Sequence, residues 1–274
     1  MTSSVARPTR RIRGLRIAPL LATLATLAIA APRLASAQQP GGPPEKFENL
    51  KVFPKDIPRD SLLDIMRGFT TALGVRCNYC HVTETVAPPA NAPAGAQPRE
   101  VFRFASDDKP AKNKARFMLH MVDTLNHVTL AKLPDRHNPP VTIGCVTCHH
   151  GLPVPATLSS VLTNKIDKFG VDSAVATYAE LRKDVVSGKY DFSEESVNSL
   201  AQQLAAQGKT ADAIALLNMN QTYYPNSATI DVQLGDTYLK AGDKDKAITH
   251  FRAALVKRPN DPRVKQRLQQ LGVS

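Results

Sequence analysis

All four cysteines of this 274-residue chain fall in two copies of one motif, Cys77-Asn78-Tyr79-Cys80-His81 and Cys145-Val146-Thr147-Cys148-His149. Cys-x-x-Cys-His is the attachment signature of c-type haem. The spacing has a chemical reason. Two thiols add to the vinyl groups of the porphyrin, and the adjacent histidine becomes the proximal ligand of the iron. A four-cysteine zinc site would also use two Cys-x-x-Cys pairs, but it gives no reason for a histidine after each. A thioredoxin-like dithiol needs a strand–helix junction in a β-α-β setting, which neither motif has. The expected cofactor is therefore two covalently attached haems c. Cys77, Cys80, Cys145 and Cys148 would form the thioethers, and His81 and His149 would bind iron.

What fills the sixth position of each iron decides its use. A methionine thioether raises the potential, a second histidine lowers it, and an open position permits ligand or peroxide chemistry. Upstream of the first motif, Leu62, Ile65, Met66, Phe69 and Leu73 form an apolar helical stripe, started by Asp60 or Ser61 and ended by Gly74. Stripe position alone would make Met66 a core residue. The haem motif directly after the helix argues for a ligand. Upstream of the second motif, a helix is expected from about Asp107 or Asp108, with Pro110 in its first turn, to about His127. Phe117, Met118, Met121, Val122 and Leu125 form its stripe, and Met121 is central. Met118, His120, His127 or an open position remain as alternatives there. His137 and His150 read as loop polar groups, His250 as solvent-facing and Met219 as repeat packing.

These sites need a scaffold, and the sequence reads as all-α: a loop-rich dihaem domain followed by a short helical repeat array. Residues 45–155 hold both motifs. Val86 to Arg99, rich in alanine and proline, reads as an exposed loop, and no strand is expected. Residues 156–195 read as a helical linker, with Val171 to Val186 capping the array. Residues 196–274 contain a repeat of period 34: Leu200, Ala201, Leu204, Gly208, Ala213, Ile214, Leu217 and Pro225 align with Leu234, Gly235, Tyr238, Gly242, Ala247, Ile248, Phe251 and Pro259. The period and the pattern of small and large residues resemble the tetratricopeptide repeat, a module that docks other proteins. Lys257, Arg258, Arg263, Lys265 and Arg267 read as a solvated face near the end of the array.

The N-terminus reads as an export signal over residues 1–37. It has a basic stretch from Arg7 to Arg16, an apolar run Ile17 to Ala31 and the small-residue site Ala35-Ser36-Ala37; a Pro/Gly-rich spacer, residues 38–44, follows. The formal charge of +11 overstates the exported chain. Six arginines and no acid lie in residues 1–37, which leaves +5, and haem propionates would offset most of that. Nucleic-acid binding is therefore not expected. A basic face is better suited to docking a redox partner. Haem c maturation outside the cytoplasm agrees with a periplasmic location, either free or peripheral to the inner membrane.

The chain resembles the cytochrome c subunit of bacterial photosynthetic reaction centres. The resemblance covers residues 45–155. It rests on Asn49-Leu50-Lys51-Val52, Met66-Arg67-Gly68-Phe69, Leu73-Gly74-Val75-Arg76 with the first motif, Phe104-Ala105-Ser106-Asp107, Lys114-Ala115-Arg116, Met121-Val122, Asn126, and the second motif with His150-Gly151. It implies methionine ligation by Met66 and Met121. Four haems and a lipid-anchored cysteine are usual in that family's photosynthetic members, whereas this chain has two motifs, no further cysteine and an added array. One haem of the four-haem members takes a distant histidine, so the sixth ligand of the second haem stays open. The function expected is electron transfer between redox-partner proteins, a membrane-bound complex among them, with the repeats docking the partner. A dihaem peroxidase would need an open iron and distal acid–base groups. A scaffold subunit of a redox complex is the other alternative.

Overall fold

The computed structural model describes residues 46–273. The expected export signal and spacer lie outside these residues. Ten α-helices and one β-hairpin make up the described chain. None of these helices is long and apolar enough to cross a membrane.

Around the two motifs the elements are short. Helix α1 (Arg59–Leu73) starts after Pro58 with no side-chain cap, two or three residues before the expected cap at Asp60 or Ser61. It ends at Gly74, whose left-handed backbone (φ +64°) turns the chain while the Val75 N–H bonds back to the Thr70 carbonyl. The first motif follows as a 3-10 turn, Cys77–Tyr79.

Next come two strands that the sequence reading did not expect. Strand β1 (Val82–Val86) pairs antiparallel with β2 (Arg99–Arg103), Glu84 opposite Val101, and the Ala/Pro-rich segment forms their connection. Each run is only five residues long and lacks clean alternation, so periodicity misses it. Pairing of the two backbones and the Arg103–Glu84 ion pair (2.7 Å) define it instead. Helix α2 (Pro110–Thr124) continues into a π-helical turn, Leu125–Thr129. The second motif forms helix α3 (Cys145–His149).

Beyond residue 156 the chain folds as stacked helical hairpins: α4 (Leu158–Phe169) with α5 (Val171–Arg182), α6 (Glu194–Ala206) with α7 (Thr210–Tyr223), and α8 (Ala228–Lys240) with α9 (Lys244–Lys257). Helix α10 (Pro262–Gln270) closes the end against α9. One apolar core runs from Leu158 through Tyr178, Leu200 and Leu217 to Leu234, so α4 and α5 form a full hairpin of the stack rather than a single capping helix. A second cluster holds Phe251, Val264 and Leu268 between α9 and α10. Almost all fully buried apolar residues lie in this array. Residues 46–155 bury only Leu62 and Ala72 among their apolar side chains. A segment of that size cannot be held by so little apolar burial alone.

Candidate cofactor sites

Each Cys-x-x-Cys-His is wound as a helical turn, which places the two thiols of a pair on one side. In the first, the N–H of His81 bonds to the Cys77 carbonyl at 2.9 Å. In the second, the Thr147 hydroxyl accepts from the Gly144 N–H at 3.0 Å and caps α3. The four thiols are free. Burial pushes the Cys80 and Cys145 thiols up, the opposite of what a thiolate nucleophile or redox dithiol requires. Among the described residues no three Cys, His, Asp or Glu side chains converge as a metal-ion site.

The two histidines are set differently. His149 is buried, and its Nδ1 lies 2.7 Å from the Leu152 carbonyl oxygen. A carbonyl only accepts, so Nδ1 carries the proton and the Nε2 lone pair is left for iron. Proximal histidines are oriented in this way. His81 packs edge-on against Phe104, ring centroids 5.0 Å apart, and Phe104 stacks on Phe102 of β2 at 5.1 Å. The hairpin thus carries a wall to the first histidine. Burial, with the Lys112 ammonium second, holds the His81 imidazole below its ordinary value and therefore neutral, the form that binds a metal. The Phe104 carbonyl opposes this, yet Nδ1 has no partner of hydrogen-bonding geometry. His81 thus lacks a carbonyl partner of the kind that orients His149.

Polar anchors that the sequence reading did not single out hold these turns. Asp107 was expected near the α2 cap. Instead it is a hub: its carboxylate meets Lys51 at 2.6 Å, Arg116 at 2.8 Å, Asn49 at 2.9 Å and Lys112 at 3.1 Å. The Lys51 hydrogen bond, then Asn49, hold it far below the usual carboxylate range. Asn126 clamps the second site. Its amide donates to the Ile143 carbonyl at 2.8 Å and accepts the Ile143 N–H at 2.7 Å, two residues before Cys145. Apart from the expected helix start at Asp107, the sequence signal for these residues is their place in the stretches that carry the family resemblance.

The segments that flank the two motifs also meet. Helix α1 packs on α3, and the Gly151 N–H donates to the Ala72 carbonyl at 2.8 Å. A Cβ on Gly74 would lie 2.1 Å from the Gly151 oxygen, so only glycine permits this approach. The turn before the first motif is thereby fixed to the turn after the second.

Met66 is half-buried on α1. On α2, Met121 is at the edge of exposure (36%) on one stripe with the open Phe117 (71%) and Val128 (50%), whereas Met118 is half-buried. Val146 of the second motif is also open. His120 is exposed, and His127 is exposed and bonded to Asp123 at 2.8 Å. Apolar side chains at helical spacing beside a motif, with little core of their own, suit a flat apolar cofactor better than solvent. The donor set and its surroundings fit covalent haem.

At the other end of the chain, residues 204–271 match the tetratricopeptide repeat family. The chain carries tetratricopeptide repeats. Curated proteins give no match to the sequence. The geometry of the repeats explains their 34-residue pattern. Gly235 of α8 faces Phe251 of α9, and a Cβ there would lie 2.6 Å from the ring. The small–large pair that recurs as Ala201 and Leu217 is the point where the two helices of a repeat approach. Met219 packs in the core. His250 is not solvent-facing: its Nδ1 reaches buried Asp231 at 3.3 Å and its ring stacks on Tyr238. Lys257 pairs with the same Asp231 at 2.6 Å, so it too is more than a solvated charge. Arg267 reaches Asp236 at 3.4 Å, and Lys265 is exposed without an ion pair among the described residues. Where α5 meets α7, Arg182 lies among the rings of Tyr178, Phe192, Tyr223 and Tyr224 and donates to the Tyr178 hydroxyl at 2.6 Å. This cation–π box ties α5 to α7.

Proposed function

We propose that this protein is an exported dihaem c-type cytochrome that transfers electrons, similar to the reaction centre cytochrome c subunit, and docks its partners through the tetratricopeptide array. The observation that carries this reading is the pair of Cys-x-x-Cys-His turns in a region with almost no apolar core, one with its histidine held for ligation by the Leu152 carbonyl. Cys77 and Cys80, and Cys145 and Cys148, would hold the two haems, with His81 and His149 as proximal ligands. Bound there, haem iron supplies a one-electron ferric/ferrous couple.

The residues of the chain do the rest. The Leu152 carbonyl orients His149, Phe104 walls His81, and Met66 and Met121 would be the sixth ligands that the resemblance supports. The Ala72–Gly151 contact keeps the two motifs together, as rapid exchange between them requires. Tetratricopeptide repeats generally bind proteins. Residues 240–274 hold nine Lys and Arg against three Asp, which suits an acidic partner surface. Periplasmic maturation and location follow from the export signal.

Expression in a bacterium with haem c maturation tests the reading. Intact mass and the alkaline pyridine spectrum should report two covalent haems per chain. A fall of about half in the thioether-to-iron charge-transfer band in Met66→Ala, with haem content kept, would identify the first sixth ligand, the remainder belonging to the second. A chain exported in full but carrying no haem would overturn the proposal.

A further inference from the structure

We propose that Lys112 and Arg116 make the first haem site the more oxidising of the two, so that an electron entering at the second site comes to rest at the first. This inference rests on the dihaem reading above and concerns the order of the two sites within it.

The observation is an asymmetry of fixed charge. Beside His81, three cations share one carboxylate: Lys51, Lys112 and Arg116 all contact Asp107. Three positive charges against one negative leave the cluster at +2. Two of the cations are well inside the surface, with the Lys112 side chain 12% and the Arg116 side chain 16% exposed. Their tie to the first site is direct. The Lys112 ammonium donates to the carbonyls of Phe104 at 2.8 Å and Ser106 at 2.7 Å, and the Phe104 ring packs on His81. Of the neighbouring charges, Arg103 pairs with Glu84, the Asp108 carboxylate accepts from the Ser106 hydroxyl, and the Lys109 ammonium donates to the Asn78 carbonyl inside the first motif.

The contact to the second histidine is uncharged. His149 faces a backbone carbonyl. The charged side chain over the adjacent turn is Lys189, whose methylene stem would lie 3.6 Å from a Gly151 Cβ and whose ammonium is paired with Asp184 at 2.8 Å.

A fixed positive charge in a partly desolvated setting stabilises the state with one more electron. With similar axial ligands at both irons, the cluster beside His81 therefore raises the affinity of the first site for an electron. One electron leaves the second site, which is oxidised, and arrives at the first, which is reduced. A one-electron donor protein restores the second site and a one-electron acceptor protein relieves the first, with no bond made or broken.

The test is an optical redox titration of the full-length holoprotein, which resolves two one-electron waves. In Arg116→Gln the more positive wave should move negative, with the oxidised-to-reduced ratio of that haem at fixed potential rising about tenfold, a shift of about 59 mV. The other wave should change less than about twofold. Arg116→Lys keeps the charge and should keep the wild-type midpoint, which separates charge from packing. Lys112→Met is the second probe and should move the same wave in the same direction. The proposal is overturned if both waves move together, if only the more negative wave moves, or if neither moves in either charge-removing variant while haem content and melting temperature are kept. Absence of haem from the wild-type chain would instead defeat the dihaem reading itself.

Discussion

Replacing Gly74 with alanine should damage the junction between the two motifs far more than the loss of one hydrogen atom suggests. Gly74 has φ +64°, and an added Cβ would lie 2.1 Å from the Gly151 carbonyl oxygen and 2.9 Å from its carbon. The left-handed conformation costs a non-glycine residue about 1 kcal/mol. The clash is with backbone, which has no rotamer to retreat to, and relieving such overpacking costs about 2 kcal/mol. Separation of the turns would also weaken the 2.8 Å bond from the Gly151 N–H to the Ala72 carbonyl, worth about 1 kcal/mol. Together these give about 4 kcal/mol. Gly151→Ala is the internal control. Its φ is +80°, but its Cβ would meet only the flexible Lys189 stem at 3.6 Å, so the conformational cost of about 1 kcal/mol should stand nearly alone. Urea unfolding, followed by far-UV circular dichroism and by haem absorbance, measures both. Gly74→Ala should lower the midpoint at unchanged slope and, in the proposed dihaem form, disturb the spectrum of the second haem as well as the first. A Gly74→Ala variant within about 0.5 kcal/mol of wild type, or a Gly151→Ala variant equally damaged, would refute the reasoning.

Three further outcomes are expected. Asn126→Ala removes both amide bonds to Ile143 and should cost about 2 kcal/mol; if its anchoring role is right, the second haem becomes partly high-spin while the first keeps its spectrum, and an unaltered spectrum would count against it. Gly235→Ala drives a Cβ to 2.6 Å from the Phe251 ring and should destabilise the repeats by about 1–3 kcal/mol, seen as a lower unfolding midpoint with both haem spectra unchanged. The carboxyls of Asp107, held down chiefly by Lys51, and Asp191, held down chiefly by Ser196, have folded values below their unfolded ones. Their contribution is present above the unfolded-state value of about 4 and is lost as pH falls through the folded values. The melting temperature should therefore be flat near neutrality and fall below about pH 4, with a shallower acid limb in Asp107→Asn; an identical limb in that variant would remove Asp107 from the account.

Local covalent and helical patterns were legible in the amino-acid order because they need only neighbours. Five consecutive residues define each Cys-x-x-Cys-His turn. The end of α1 at Gly74 depends on one residue's freedom at positive φ. The repeat shows because every hairpin must solve the same packing problem at the same interval, as Gly235 against Phe251 illustrates. The β-hairpin was not legible. Val82–Val86 and Arg99–Arg103 are too short to show a period, and each becomes a strand only because the other is there to take its backbone hydrogen bonds. For the same reason Asp107, expected near a helix cap, turned out to gather groups from residues 49 to 116, and Asn126 found its partner seventeen positions away. The sequence by itself determined which atoms could hold a cofactor and which segments repeat. Only the tertiary structure decided that Gly74 meets Gly151, that α4 and α5 join the repeat core, and that Lys51, Lys112 and Arg116 gather on Asp107, since each depends on segments distant in the chain being brought within a few ångströms.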